Sequence, residues 1–228
     1  MLRRTDQRNQ MDAELYPRRL SNCRNRKEKE MNFDELYRIG PENDCIEYGC
    51  IVGSNRIVYI KVGMGGSYIG YEEKYLKLAR RLNDNYGCSV ICVSNPLPHG
   101  RSVAPDQIII RDFVKRHNIL NPEMFFFGNS NGCVKGLEMA ESGTQFAKMV
   151  LVGMPLMENF HKNVERMKAI PKTKICTVYG ERDPSLKYLP FLELSNPENV
   201  EIVKVPQADH NFRGMTERFI ELADWLMQ

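Results

Sequence analysis

From Asn32 onward the chain alternates between short, almost wholly apolar runs and longer stretches whose apolar positions recur every three to four residues. The runs read as strands buried on both faces and the stretches as amphipathic helices, the pattern of an α/β fold on a mostly parallel sheet with helices on both faces. "CIEYGCIV" and "RIVYIKVG" predict the first strands, joined as an antiparallel pair through the turn formers Gly53, Ser54 and Asn55. "YEEKYLKLARRLNDNYG" sets Tyr75, Leu78, Ala79 and Leu82 on one helical face and stops at Gly87, suited to a left-handed C-cap. "CSVICVS" follows as a buried strand. A helix is predicted from Pro105, a good first-turn residue, to about Asn118, with Ile108, Ile109, Phe113 and Val114 facing inward. "EMFFFG", "FAKMVLVG", "KICTVYG" and "NVEIVKVP" complete the strands. "NGCVKGLEMAESG" is a short helix, and "FRGMTERFIELADWLMQ" closes the chain as an amphipathic helix.

Composition narrows the class. A chain of 228 residues, 42% hydrophobic and 27% charged, suits one large domain with a core that needs no disulfides. No apolar run is long enough to span a membrane. The net charge of +3 is concentrated at the start, where thirty residues hold nine Lys or Arg against five Asp or Glu. That stretch has few aromatics and no hydrophobic period, so residues 1–31 are expected to form a basic, disordered tail and 32–228 the folded domain. It also lacks the apolar segment of a secretory signal peptide, and Met31 is read as a candidate translation start. A basic arm for acidic partners is the functional alternative, but no nucleic-acid or membrane partner is expected. The seven cysteines include no CxxC pair or zinc spacing and several lie in apolar runs, so reduced thiols and a cytoplasmic address are expected, without metal or organic cofactor.

The chemistry centres on "MFFFGNSNGC", Met124 to Cys133, where Ser130 sits in a G-x-S-x-G match between Gly128 and Gly132. Two glycines around a serine recur by chance, so context decides: here an apolar strand precedes and a helical pattern follows, as a strand-turn-helix elbow requires. The glycines let strand and helix approach while the serine hydroxyl projects above the carboxyl edge of the sheet. A serine N-capping the helix is the plainer alternative. A nucleophilic serine needs a base and an orienting acid in the order Ser, Asp or Glu, His. Asp183, in "GERDP" after "KICTVYG", and His210, in "ADHNF" after "VEIVKVP", satisfy that order. Glu181 and Asp209 are the rival carboxylates; Asp209, adjacent to His210, is poorly placed to reach the same imidazole. His99, His117 and His161 do not follow a late strand.

Acyl transfer also needs amides for the oxyanion. The Gly63-Met64-Gly65-Gly66 loop leaves the backbone bare, making the Met64 and Asn131 amides the donor pair. A phosphate-cradling G-x-G-x-x-G is the alternative, and its sixth position from Gly63 is Tyr68.

The GMGG loop after a strand, the GNSNG elbow, the GERD loop and the ADHNF segment together resemble the α/β-hydrolase superfamily from about Ile46 to the C-terminus. The resemblance implies an α/β-hydrolase fold and a Ser130–Asp183–His210 triad, with oxyanion amides from Met64 and Asn131. Many members carry His-Gly before the oxyanion loop where this chain has Val62-Gly63. The short stretch between "GMPLM" and "KICTVYG" holds one helix, so little or no lid is expected. The expected activity is hydrolysis of a carboxylic ester or thioester of a small acyl substrate. Acyl transfer to another acceptor, amide cleavage, or a non-catalytic binding module retaining the fold are the alternatives.

Overall fold

The computed structural model describes residues 16–20, 32–41, 45–96, 102–195 and 197–228. Its strands are β1 (Arg18–Arg19), β2 (Glu35–Ile39), β3 (Ile46–Ile51), β4 (Arg56–Lys61), β5 (Ser89–Val93), β6 (Glu123–Asn129), β7 (Lys148–Val152), β8 (Lys174–Gly180) and β9 (Val200–Val205). They form one nine-stranded sheet in the order β1-β2-β3-β5-β4-β6-β7-β8-β9. Pairing is antiparallel from β1 to β5 and parallel from β5 through β9.

The helices are α1 (Lys74–Tyr86), α2 (Ala104–Arg116), α3 (Asn131–Glu141), α4 (Phe160–Lys168), α5 (Leu189–Ser195) and α6 (Thr216–Glu221). One apolar layer packs α2 to α5 on the sheet through residues such as Phe113, Leu137, Met167 and Leu192. The other packs α1, α6 and the final 3-10 turn through Leu78, Leu82, Phe219 and Leu226. Because both faces are covered, strands such as β5 are buried at every position, which is why they read as continuous apolar runs. Gly87 caps α1 at φ 65°, as its position in the sequence predicts. Between β7 and β8 the structure has the single helix α4 and no larger lid.

Three expectations change. The predicted hairpin between β3 and β4 does not form: β5 lies between them, antiparallel to β3 and parallel to β4. The link between them crosses the start of β5, with the Ser54 amide donating to the Gly87 carbonyl at 2.7 Å and the Gly53 amide to Ser89 Oγ at 2.9 Å. A side chain at Gly53 would meet the Gly87 and Cys88 carbonyl oxygens at 2.6 Å, so the glycine serves this crossing and not a hairpin turn. Strand β2 is not among the predicted runs: only Tyr37 and Ile39 are buried, Leu36 packs half-buried against the opposite layer, and the charged Glu35 and Arg38 interrupt the apolar pattern. Within the basic segment, Arg18 and Arg19 pair with Arg38 and Tyr37 at the sheet edge, so the tail reading does not extend to residues 16–20. The rest of that expectation, Met31 included, falls outside the described residues.

Candidate active site

The parallel strands β4 to β9 end along one edge, and each candidate residue follows one of them. Ser130 joins β6 directly to α3 with φ 53° and ψ −126°, a conformation a non-glycine residue holds only under constraint. The constraint comes from both sides. The Ser130 amide donates to the Val152 carbonyl of β7 at 2.8 Å. A Cβ on Gly132 would collide with the Lys61 and Val62 carbonyls, the latter at 2.6 Å, and one on Gly128 would lie 2.9 Å from the Cys133 amide nitrogen. Ser130 precedes α3, but its hydroxyl caps no amide of that helix.

That hydroxyl instead lies 2.9 Å from His210 Nε2, and His210 Nδ1 lies 2.8 Å from Asp183 Oδ2. A carboxylate only accepts, so Nδ1 carries the proton toward Asp183 and Nε2 is left to accept from the serine. Asp183 is held in place because its other oxygen accepts the Ser185 amide at 2.8 Å, N-capping the 3-10 turn that Pro184 begins. The Asp183 side chain is 1% exposed and the His210 side chain 30%, so the acid is sealed while the imidazole opens to the cleft. Neither rival carboxylate reaches His210. Glu181 accepts the Gln207 amide at 2.8 Å, and Asp209 accepts the Asn211 and Arg213 amides at 2.9 and 3.0 Å. Both rivals brace the loops that carry Asp183 and His210.

Met64, in the turn after β4, lines the same cleft as Ser130, and Asn131 follows the serine at the first position of α3. Neither amide donates to another backbone carbonyl of the described chain. Asn95, just beyond β5, ties the two segments together. Its carbonyl accepts the Gly65 amide at 2.7 Å and its amide donates to the Gly66 carbonyl at 3.1 Å. Its side-chain Nδ2 donates to the Val62 carbonyl and to Asn131 Oδ1, both at 3.2 Å. The Gly63–Gly66 run is separated by Ser67–Gly70 from the 3-10 turn at Tyr71 and from α1 at Lys74, so it does not itself form the helix terminus that the phosphate-cradle alternative needs.

Three further residues at the site were not singled out from the sequence. Gly153, after β7, has φ 60°, and a Cβ there would lie 3.1 Å from both Asp183 Oδ2 and His210 Nδ1. Tyr75 was assigned to the core by its helical spacing; its ring is there, but its hydroxyl donates to Asn129 Oδ1 at 2.9 Å, beneath Ser130. Burial holds that phenol far above its usual pKa, so it stays a donor. Lys74 donates to the Asn211 carbonyl at 3.3 Å, next to His210. A polar side chain in the loop beyond a strand's carboxyl end, the signal that marks Asp183 and His210, marks Asn95 as well.

These groups border a cleft of about 600 Å³ lined by Gly63, Met64, Ser67, Tyr71, Lys74 and Arg213 among others. A hollow of about 640 Å³ opens at the opposite edge of the sheet among Met124, Phe146 and Pro171, with none of this chemistry, so the reactive groups and not the volume mark the site. Among the described residues no cluster of His, Cys, Asp or Glu is arranged to hold a metal.

A serine at a strained strand-to-helix elbow, an acid and a histidine beyond later strands, and this sheet order define the α/β-hydrolase fold, and the chain has that fold. It is similar to Est1E from Butyrivibrio proteoclasticus at TM-score 0.64 and 11% identity, covering 84% of this chain and 97% of that one. It is likewise similar to a lidless α/β serine hydrolase from Xanthomonas campestris (TM-score 0.61, 14% identity, 84% and 92% covered). Dienelactone hydrolase from Anabaena variabilis aligns at TM-score 0.59 and 16% identity, over 92% of this chain and 97% of its own. No protein-family model and no curated protein sequence matches the chain.

Proposed function

We propose that the protein is a serine hydrolase that cleaves a carboxylic ester, or the related thioester, of a small molecule through an acyl-enzyme. The observation that carries this reading is the unbroken hydrogen-bonded line from Asp183 through His210 to Ser130, at 2.8 and 2.9 Å, on a serine whose backbone is held at φ 53°.

In the first half-reaction His210 Nε2 takes the Ser130 proton as Oγ bonds to the acyl carbon. Asp183 accepts the Nδ1 hydrogen bond, fixing the tautomer and stabilising the imidazolium that forms. The carbonyl electrons move onto oxygen, where the Met64 and Asn131 amides meet the developing charge. Collapse breaks the bond to the alcohol or thiol, which leaves with the proton from His210. In the second half-reaction water gives its proton to His210, attacks the same carbon and releases the acid and Ser130. An open cleft with one helix in place of a lid admits that water, which favours hydrolysis over transfer to another acceptor. Est1E has been solved with ferulic acid bound, which accords with a carboxylic acid as product here. The six described cysteines are free thiols, five of them buried, and on that account we place the enzyme in the cytoplasm.

The test is intact-mass analysis after treatment with a fluorophosphonate. One adduct is expected on the wild type and none on Ser130→Ala or His210→Ala. A folded wild type that takes no adduct overturns the reading.

A further inference from the structure

The cleft beside Ser130 holds two cations, Lys74 at the start of α1 and Arg213 just after His210, and no carboxylate among the described residues that line it. Arg213 is exposed at the rim, its Nε 4.0 Å from Asp209 Oδ2. Lys74 is buried, with its ammonium over the Phe219 ring at 4.4 Å and the Tyr75 ring at 5.1 Å. Its oxygen acceptor is the Asn211 carbonyl at 3.3 Å, whereas an ammonium offers three donors. No described carboxylate forms an ion pair with it. Asp209 is the acid that acts on it through space, and that carboxylate is occupied by the Asn211 and Arg213 amides. Burial pushes the Lys74 ammonium down to about 8, and Asp209 offsets this only in part.

A desolvated cation without a counter-ion is costly, and functional clefts are where such groups collect. The rings of Tyr75 and Phe219, which meet edge to face, hold the ammonium by cation–π attraction without neutralising it. The missing negative charge can come with the ligand. Resting on the ester-hydrolase reading, we propose that this cleft selects esters carrying an anionic group, a carboxylate or a phosphate, held by Lys74 and Arg213 while Ser130 attacks the acyl carbon. The reaction is unchanged: the acyl–oxygen or acyl–sulfur bond breaks, water supplies the new oxygen, and the anionic group is a handle that does not react.

The experiment compares para-nitrophenyl hexanoate with the mono-para-nitrophenyl ester of adipic acid, which differs in replacing the terminal methyl by a carboxylate. The readout is the ratio of kcat/KM for the anionic over the neutral ester, in which any loss common to both cancels. At low salt the wild type is expected to favour the anionic ester by about tenfold, the scale of one partly desolvated charge pair. The preference should shrink as ionic strength passes the physiological range. Lys74→Met should bring the ratio close to one, and Arg213→Gln should lower it less because that head group is screened by solvent. A wild-type ratio at or below one, or a ratio that Lys74→Met leaves unmoved, overturns the proposal.

Failure of the hydrolase reading is separable: neither ester turns over and no fluorophosphonate adduct forms. The charge proposal is then read from binding alone. Monomethyl adipate, which carries one carboxylate, but not the neutral methyl hexanoate, should raise the Tm of Ser130→Ala and should not raise that of the Ser130→Ala/Lys74→Met double variant. No shift with monomethyl adipate on Ser130→Ala overturns it.

Discussion

Asn95→Ala removes two hydrogen bonds that join the two amide-bearing segments beside Ser130 and touches none of the reacting groups. The lost contacts are those from Nδ2 to the Val62 carbonyl and to Asn131 Oδ1, both 3.2 Å, while the backbone bonds to Gly65 and Gly66 remain. Each lost bond is worth about 1 kcal/mol net, more where a buried acceptor is left unpaired, so the variant should lose about 2 kcal/mol of stability. For a domain of this size that is a fall in Tm of roughly 4–8 °C. The catalytic effect has an upper bound: deleting an oxyanion donor costs about 100- to 1000-fold in kcat. Asn95→Ala deletes neither donor and only lets the Met64 turn drift against α3, so kcat should fall about tenfold, or about 1.4 kcal/mol in the barrier, with KM nearly unchanged. Asn95→Asp keeps the volume but turns two donors into an acceptor facing two oxygens, and should be the worse variant. The assay is steady-state kinetics on a neutral nitrophenyl ester, paired with the affinity of a boronic acid that mimics the tetrahedral state. Weakened binding of the analogue should track the loss in kcat. If kcat stays within about twofold while Tm falls as stated, Asn95 supports only the fold and the reasoning is refuted.

Other perturbations probe independent parts of the molecule. Gly153→Ala puts a methyl 3.1 Å from both Asp183 Oδ2 and His210 Nδ1 at φ 60°; kcat should drop at least about tenfold with little change in KM, and an unaltered pH–rate profile would count against the geometry. Gly132→Ala drives a methyl into the Lys61 and Val62 carbonyls, which are backbone and cannot swing aside, so soluble expression at wild-type yield with unchanged Tm would contradict the elbow packing. Lys61 and Asp106 form a buried ion pair at 2.7 Å that also accepts the Tyr59 hydroxyl at 2.6 Å. Asp106→Leu should cost about 3–5 kcal/mol in urea unfolding, and Lys61→Met/Asp106→Leu should recover much of it, because the penalty lies in the stranded charge. Lys74 sets a pH dependence of stability. Folded it titrates near about 8, and unfolded near the ordinary lysine value of about 10.4. Below about 8 both states bind the proton and the burial penalty is in full; between there and about 10.4 the unfolded state binds more protons, so stability rises by up to about 3 kcal/mol. Lys74→Met should lack that rise, and equal pH dependence of the two proteins in urea titrations would exclude a desolvated ammonium.

How much of this was legible in advance depends on how far apart in sequence the deciding partners lie. Ser130, Asp183 and His210 stand out because each lies in the turn or loop beyond the carboxyl end of a strand-like run, and parallel strands necessarily bring those ends to one edge. Once the runs are recognised, chain order alone separates His210 from the other histidines. The rejection of Asp209 and the preference for Asp183 over Glu181 also rest on local facts: one acid is adjacent to the imidazole, and Pro184 starts a turn that Asp183 caps. Strand adjacency is another matter. The link at Gly53 has the composition of a hairpin turn, yet β5, almost forty residues later, takes the place beside β3, because β4 is apolar on both faces and is satisfied only between two parallel neighbours. Asn95, Gly153 and Tyr75 belong to this non-local class. Asn95 meets Val62 and Asn131, Gly153 is defined by side chains from two later loops, and Tyr75 on α1 reaches Asn129 at the end of β6, 54 residues along the chain. Lys74 extends the point to charge. On a helical wheel it is one more solvated lysine on a polar helix, and only the Asn211 loop folding over it turns it into a buried cation at the mouth of the cleft. The reactive groups of such a site are announced by their strands, whereas the residues that tune it are set by what the fold brings over them, and substrate preference is sought in the second group.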